Sequence, residues 1–244
     1  MVRVMCSGRV DPAFVIRAFA KGMDGVFIGG CKLNECNYTT HGNFHALNMV
    51  LLVKRIMEHI GLNPDRLRIE FMSGAEANTF VDTVNSFVHQ VKELGPLGQA
   101  EGIDRETLKT RLANVAKLIP YIKRVKKDKL GLRLKSEDEY NGFYTRDEID
   151  QLFSEAVSYY IDPEKCQACM ICARRCPEQA IMGGKNQIHV VDQDKCIKCD
   201  TCFDVCPPRF NAVRKISREP VPPPLAEDQR MIITRVKEKQ ATVN

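Results

Sequence analysis

Eight cysteines fall into two runs of identical spacing. The first reads Cys166-x2-Cys169-x2-Cys172-x3-Cys176-Pro177, and the second, thirty residues on, reads Cys196-x2-Cys199-x2-Cys202-x3-Cys206-Pro207. A [4Fe–4S] cluster needs four thiolates closing on a cube. Three from one tight loop and a fourth from a distant point meet that need, and in this spacing the fourth cysteine of each run serves the other run's cluster. The expected sets are therefore Cys166, Cys169, Cys172 and Cys206 for cluster I, and Cys176, Cys196, Cys199 and Cys202 for cluster II. Pro177 and Pro207 lack an N–H and fix their own φ, which suits the turn out of each loop.

Two other chemistries compete for these thiols. Four disulfides belong to a short secreted chain, and no secretory leader is read here. Two zinc sites would use paired Cys-x2-Cys knuckles, leaving the third cysteine and the trailing Cys-Pro of each run unexplained. The runs also form an internal repeat, since Asp162-Pro-Glu-Lys-Cys166 is echoed by Asp192-Gln-Asp-Lys-Cys196, with the β-like stretch Ile188–Val191 between the loops. Over about residues 160–215 this pattern resembles the bacterial two-cluster ferredoxin fold, which implies an α+β domain holding two [4Fe–4S] clusters.

These loops need a scaffold. At 244 residues the chain has room for one to two domains, and a ferredoxin module uses only about a quarter of it. The net charge of +5 is too small by itself to argue for nucleic acid. Eleven cysteines without a leader point to a reducing cytoplasm. No apolar run approaches the roughly 18 residues of a membrane span, so any membrane would be met through partners.

Val2–Cys6 reads as a short strand. Asp11-Pro12 starts a helix with proline at its first position; its apolar stripe is Phe14, Val15, Ala18 and Phe19, and Gly22 ends it. Asp24–Gly29 reads as a second strand. A long amphipathic helix follows through Leu47, Val50, Leu51, Lys54 and Met57 to Gly61. Leu67–Met72 reads as a third strand and Ala75–Leu94 as a third helix, with Phe80, Val84, Phe87, Val88 and Val91 apolar. This alternation implies an α/β domain over residues 1–97, a parallel sheet with crossover helices. Three strands make it an incomplete flavodoxin-like domain.

Residues 98–158 read as a helical, basic linker. Its segment Lys123–Lys135 carries seven Lys or Arg and one Asp. Aromatic residues for base stacking are sparse there, so a solvated helix face is expected in place of a nucleic-acid site. The ferredoxin domain is expected over 159–217. A Pro-rich extended tail follows over 218–244, with Val221-Pro222-Pro223-Pro224 in polyproline form and no core of its own.

Cys6, Cys31 and Cys36 remain. Cys6 ends the first strand and Cys31 follows the second at Gly29-Gly30-Cys31, so both lie at the C-terminal edge of the sheet, where ligands bind. Cys36 can reach back from the same loop. Free cysteines are often small buried hydrophobes, but a Cys-x4-Cys loop flanked by glycine favours metal or redox chemistry. His41 and His45 lie just beyond; a polar role near a helix start is expected for each over a nitrogen ligand.

Val4-Met-Cys-Ser-Gly-Arg-Val-Asp-Pro12, Gly22-Met-Asp-Gly-Val-Phe-Ile-Gly-Gly-Cys31, Glu35-Cys-Asn-Tyr38 and Gly42-Asn43 together resemble the delta (iron–sulfur) subunit of methyl-viologen-reducing hydrogenase, over about residues 2–95. The resemblance implies a [2Fe–2S] cluster, and it matches Cys6, Cys31 and Cys36 to cysteines of the family. It also implies electron transfer from a hydrogenase or formate dehydrogenase to the flavin subunit of heterodisulfide reductase, where bifurcation occurs. In that family a further strand and a close pair of cysteines precede the Cys-Ser-Gly-Arg motif. Here the [2Fe–2S] site is therefore expected to be incomplete, its missing strand and ligand lying on a separate upstream polypeptide or lost where an in-frame selenocysteine codon is read as a stop.

The expected function is an electron-transfer subunit, with no catalytic residues of its own, that wires a donor enzyme to a heterodisulfide-reductase-like complex. The ferredoxin half also resembles domains of NADH-linked hydrogenase and dehydrogenase subunits, which adds an NADH-linked donor. No Gly-x-Gly-x-x-Gly, phosphate loop or Gly-x-Ser-x-Gly is present, so no nucleotide or hydrolase site is read. A flavin-binding oxidoreductase with its own ferredoxin is the alternative; Met5-Cys-Ser-Gly-Arg9 makes a poor phosphate loop for it. A zinc-stapled module placing Lys123–Lys135 on nucleic acid is the third reading. Arg174 and Arg175 beside cluster I, against Lys195, Lys198 and Asp200 beside cluster II, are too balanced to rank the two potentials.

Overall fold

The computed structural model describes residues 1–38, 42–134, 137–217 and 220–232, without the side chains of residues 137 and 138. His41, Lys135 and the tail beyond Ile232 lie outside the described residues. The chain divides into two compact units, Met1–Leu152 and Phe153–Asn244.

The first unit begins without the expected strand. Among the described residues nothing pairs with Val2–Cys6, and its valines and Met5 stand exposed. Alternation cannot make a strand without a ladder to join. Cys6 instead opens a 3-10 turn at Ser7–Arg9. Helix α1 (Pro12–Ala20) starts as expected: the Asp11 carboxylate accepts the Ala13 N–H at 2.8 Å and Pro12 occupies the first turn. Its buried face is Pro12, Val15, Ile16 and Phe19, whereas Phe14, assigned to that face from the sequence, is exposed. Both stripes have helical period; the helix packed against α1 decides between them.

Strand β1 (Val26–Gly30), helix α2 (Asn43–His59) and strand β2 (Leu67–Phe71) form one parallel crossover, with Val26 opposite Leu67 and Gly30 opposite Phe71. Side chains alternate across a strand. Phe27 therefore meets Phe87 of helix α3 (Ala77–Leu94), with ring centroids 5.7 Å apart, while Ile28 is buried on the opposite side. Gly25 lets α3 close in, since a Cβ there would stand 2.6 Å from Val91 Cγ2. Helix α2 is buried nearly all round, the mark of a central helix. Of the residues expected to form the apolar face of α3, only Phe87 is fully buried, and Phe80 and Val88 are exposed. The sheet has two strands among the described residues.

Helix α4 (Arg105–Val125), capped by Asp104, rests on α1 through a stripe that includes Leu108, Leu112, Val115 and Ile119. Short helices α5 (Lys127–Leu130), α6 (Glu137–Asn141) and α7 (Arg146–Ser154) follow. The basic segment keeps Lys123, Arg124, Lys127 and Arg133 exposed, while Lys126 and Lys129 bond Glu148 at 2.5 and 2.7 Å and Lys123 pairs with Asp11. Buried Asn48 of α2 donates to the carbonyls of Lys129, Leu130 and Leu132. Arg66, wholly buried, donates to both carboxylate oxygens of Glu101 and to the carbonyls of Asp24, Leu94, Gly95 and Pro96. It joins the C-terminus of α3, the approach to β1 and the segment before α4 at one point.

The second unit has two small antiparallel sheets: β3 (Ser158–Ile161) with β6 (Val213–Ile216), and β4 (Ile181–Met182) with β5 (Val190–Val191). Helices α8 (Ile171–Arg175) and α9 (Thr201–Asp204) occupy equivalent places in the two cysteine runs. The Pro-rich segment does not hang free. Val221, Pro222, Pro224 and Leu225 lie over Ile188 and Val190, the Ile188 N–H donates to Arg230 O at 2.7 Å, and Gln187 bridges to Met231.

Candidate metal centres

The two cysteine loops share an unusual backbone. Ala168 and Met170 in the first, and Lys198 and Asp200 in the second, have φ of +50°, +62°, +56° and +71°. None is glycine, and the left-handed region costs such residues of order 1–2 kcal/mol each. Strain repeated at the same two positions of both loops marks a site that the surroundings over-determine. Left-handed turns alternating with right-handed ones aim successive N–H groups into a concavity that favours negative charge.

The thiols gather across the repeat. Burial, then the charges of Cys166 and Cys169, and also that of Cys206, push Cys172 up to about 12. Burial also drives Cys202 up to about 12, with the charges of Cys196, Cys172, Cys199 and Cys176 adding to it. Cys196 is raised by burial and by Cys199 and Cys176, against the Lys198 N–H, which lowers it. One pocket is lined by Cys176, Cys196, Cys199 and Cys202 together. The structure thus brings Cys206 to the first run's thiols and Cys176 to the second's. Thiols this hard to ionise become thiolates only beside compensating positive charge, which iron supplies. Among the described residues, no three His, Cys, Asp or Glu side chains close on a point as they would around one ion. Eight thiols in two runs of Cys-x2-Cys-x2-Cys-x3-Cys, with no nitrogen donor among them, are the donor set that [4Fe–4S] clusters take.

Polar groups reach the sulfurs. The Ala180 N–H lies 3.3 Å from Cys176 Sγ, Thr201 Oγ1 3.2 Å from Cys199 Sγ, and His189 Nδ1 3.8 Å from Cys166 Sγ. His189 carries no signal in the sequence beyond its place in an apolar stretch; burial lowers its pKa.

In the first unit Cys6, Cys31 and Cys36 also come together. Gly30 allows the approach, because a Cβ there would be 2.8 Å from Ser7 Oγ, beside Cys6. Gly42 is tighter still, with room for a Cβ only 2.5 Å from Cys36 Sγ. Cys31, though exposed, is raised by desolvation, then by its hydrogen bond to Cys36 and the charges of Cys36 and Cys6. Desolvation would raise Cys36 too, but the N–H groups of Tyr38 and Asn43 and the thiols of Cys31 and Cys6 bring it below its ordinary value. Asn43, 1% exposed, donates to Cys31 O and Lys32 O and holds the loop's entry. Half-buried His45 sits one turn into α2. The three thiols open on a cleft of about 860 Å³.

The methyl-viologen-reducing hydrogenase, delta subunit family matches residues 1–95, and a 4Fe-4S dicluster domain matches residues 159–213. An iron-sulfur subunit of the F420-non-reducing hydrogenase of Archaeoglobus profundus is 41% identical over 96 residues, 39% of this chain and 69% of that protein. This chain belongs to the hydrogenase delta-subunit family. The vhu iron-sulfur subunit of the F420-non-reducing hydrogenase of Methanopyrus kandleri, another relative, is 43% identical over 97 residues, 40% of this chain and 73% of its own length. This chain is also 43% identical over 117 residues to one component of the ferredoxin:CoB-CoM heterodisulfide reductase of Methanosarcina mazei, 48% of this chain but 14% of that protein. It thus spans about one seventh of the heterodisulfide reductase component that it matches there.

Proposed function

We propose that this chain is an iron–sulfur electron-transfer subunit, relaying electrons between a donor enzyme and the flavin subunit of a heterodisulfide-reductase-like, electron-bifurcating complex. The observation that carries the reading is that thiols of the two runs feel each other's charge across the repeat, Cys206 at Cys172 and Cys176 at Cys196 and Cys202, in a chain with a third group of thiols in its other unit. Clusters bound there would each take up and release electrons singly. The chain's own part is to hold thiolates, exclude water and aim N–H dipoles at sulfur. Cys166, Cys169, Cys172 and Cys206 hold one [4Fe–4S] cluster, and Cys176, Cys196, Cys199 and Cys202 the other.

Cys6, Cys31 and Cys36 hold a [2Fe–2S] cluster together with a further ligand. The names of the relatives support a hydrogenase as donor; formate dehydrogenase and NADH-linked enzymes are further donors of the same chemistry. No helix among the described residues is long and apolar enough to cross a membrane. The test is iron and acid-labile sulfide per chain on anaerobically purified protein, with EPR of the reduced sample. About 8 iron atoms are expected from the dicluster unit, and about 10 with an added [2Fe–2S] signal where the N-terminal site is complete. A colourless protein containing zinc and no sulfide refutes the reading.

A further inference from the structure

The thirty-residue repeat that relates the cysteine loops also relates what flanks them. Thirty residues before His189 stands Tyr159; the two are 1% and 0% exposed. Tyr159 lines the pocket of Cys176, Cys196, Cys199 and Cys202, whereas His189 reaches the other set, with Nδ1 3.8 Å from Cys166 Sγ. Thirty residues before Thr201, whose Oγ1 lies against Cys199 Sγ, stands Ile171, which carries no polar atom. The two thiol sets are alike in sulfur and unlike in the side chains aimed at it.

A thiolate that binds iron has no proton to give. The 3.8 Å contact is then favourable only in the tautomer whose Nδ1 carries the hydrogen. Nε2 becomes a bare acceptor, and no hydrogen-bond partner reaches it among the described residues. A buried polar atom without a partner calls for an explanation in function. Hydrogen bonds to ligand sulfurs tune cluster potential, because a donor favours the more negative, reduced form.

We propose that His189 is a positioning residue that donates a hydrogen bond to the Cys166 sulfur, raises the potential of the cluster held by that set, and makes the two clusters of one repeat unequal. The proposal rests on the ligand sets assigned above.

The test is a redox titration of the anaerobic full chain, read by EPR, for wild type, His189→Phe, His189→Gln and Thr201→Val. In His189→Phe one midpoint falls while the other stays, by about a tenfold change in the reduction equilibrium, or about 59 mV for a one-electron couple. His189→Gln, which keeps an N–H, recovers part of the loss. Thr201→Val moves the other midpoint. Both midpoints unmoved in His189→Phe at full iron content, or an equal fall in Phe and Gln, overturns the proposal. If His189→Phe and Thr201→Val move the same midpoint, the ligand sets are wrong; if wild type holds no iron, the proposed function is. Should a variant lose its cluster, wild type labelled with 15N-histidine decides. Hyperfine coupling to nitrogen at the reduced [4Fe–4S] signal is expected, and its absence overturns the proposal.

Discussion

The crossed ligation predicts a pattern of non-additive losses. Cys206 belongs to the second run in sequence but raises the pKa of Cys172 in the first, and Cys176 does the same for Cys196 and Cys202 in the second. Replacing Cys206 by Ser should remove cluster I, taking the dicluster unit from about 8 to about 4 iron atoms per chain. Replacing Cys166 should remove the same cluster. The double variant Cys166→Ser/Cys206→Ser should then also stop at about 4, since residues serving one unit are not additive. Cys196→Ser/Cys206→Ser strikes both clusters and should fall to about 0. Ligation within each run predicts the reverse order of the two double variants. Iron and labile sulfide assays, with EPR spin counts on reduced samples, separate the cases. About 4 iron atoms in Cys196→Ser/Cys206→Ser and none in Cys166→Ser/Cys206→Ser would refute the crossed sets.

Arg66→Met should destabilise the first unit by about 3–5 kcal/mol, because it strands a buried carboxylate whose side chain is 4% exposed; hydrogen exchange in α3 under increasing urea measures this, and a loss under about 1 kcal/mol would contradict it. Burial would raise the pKa of Glu101, but the Arg66 guanidinium and the Asn63 N–H bring it below the ordinary value. Its contribution is therefore complete above the unfolded value of about 4.3 and disappears as pH falls through the lower folded value, an acid-side loss that Arg66→Met should abolish. Gly42→Ala places a methyl 2.5 Å from Cys36 Sγ and should remove any [2Fe–2S] signal while leaving the [4Fe–4S] signals intact.

What the sequence disclosed was mostly local. Asp11-Pro12 caps its helix as short-range chemistry requires, and the thirty-residue echo announced two equivalent loops. What it hid depends on distant partners. Val2–Cys6 alternates like a strand but finds no ladder among the described residues. Phe14 and Ile16 fit a helical stripe equally well until α4 chooses. Lys126 and Lys129 look free until Glu148, about twenty residues on, takes both. The Pro-rich segment acquires a core only because the β4–β5 hairpin offers Ile188 and Val190. His189 reads as one residue of an apolar stretch; only the repeat, carried past the cysteines to their flanks, sets it beside Tyr159.

The second unit shows why its metal and its fold are one problem. Its buried core consists of Tyr159, Ile161, Ile181, Ile188, Val191, Ala212 and Val213 together with Cys166, Cys172 and Cys202, and Cys176, Cys196 and Cys206 pack against it. Six of the eight thiols of the repeat thus stand in or against the core. Much of this unit's interior is therefore ligand. Loop backbones held at positive φ add a cost of their own. The binding energy of iron to the thiolates must therefore be part of the folding energy. The strap of residues 220–232 adds apolar cover on the face of Ile188 and Val190, and it does so without occupying a thiol. A domain built in this way acquires its electron carriers and its tertiary structure together.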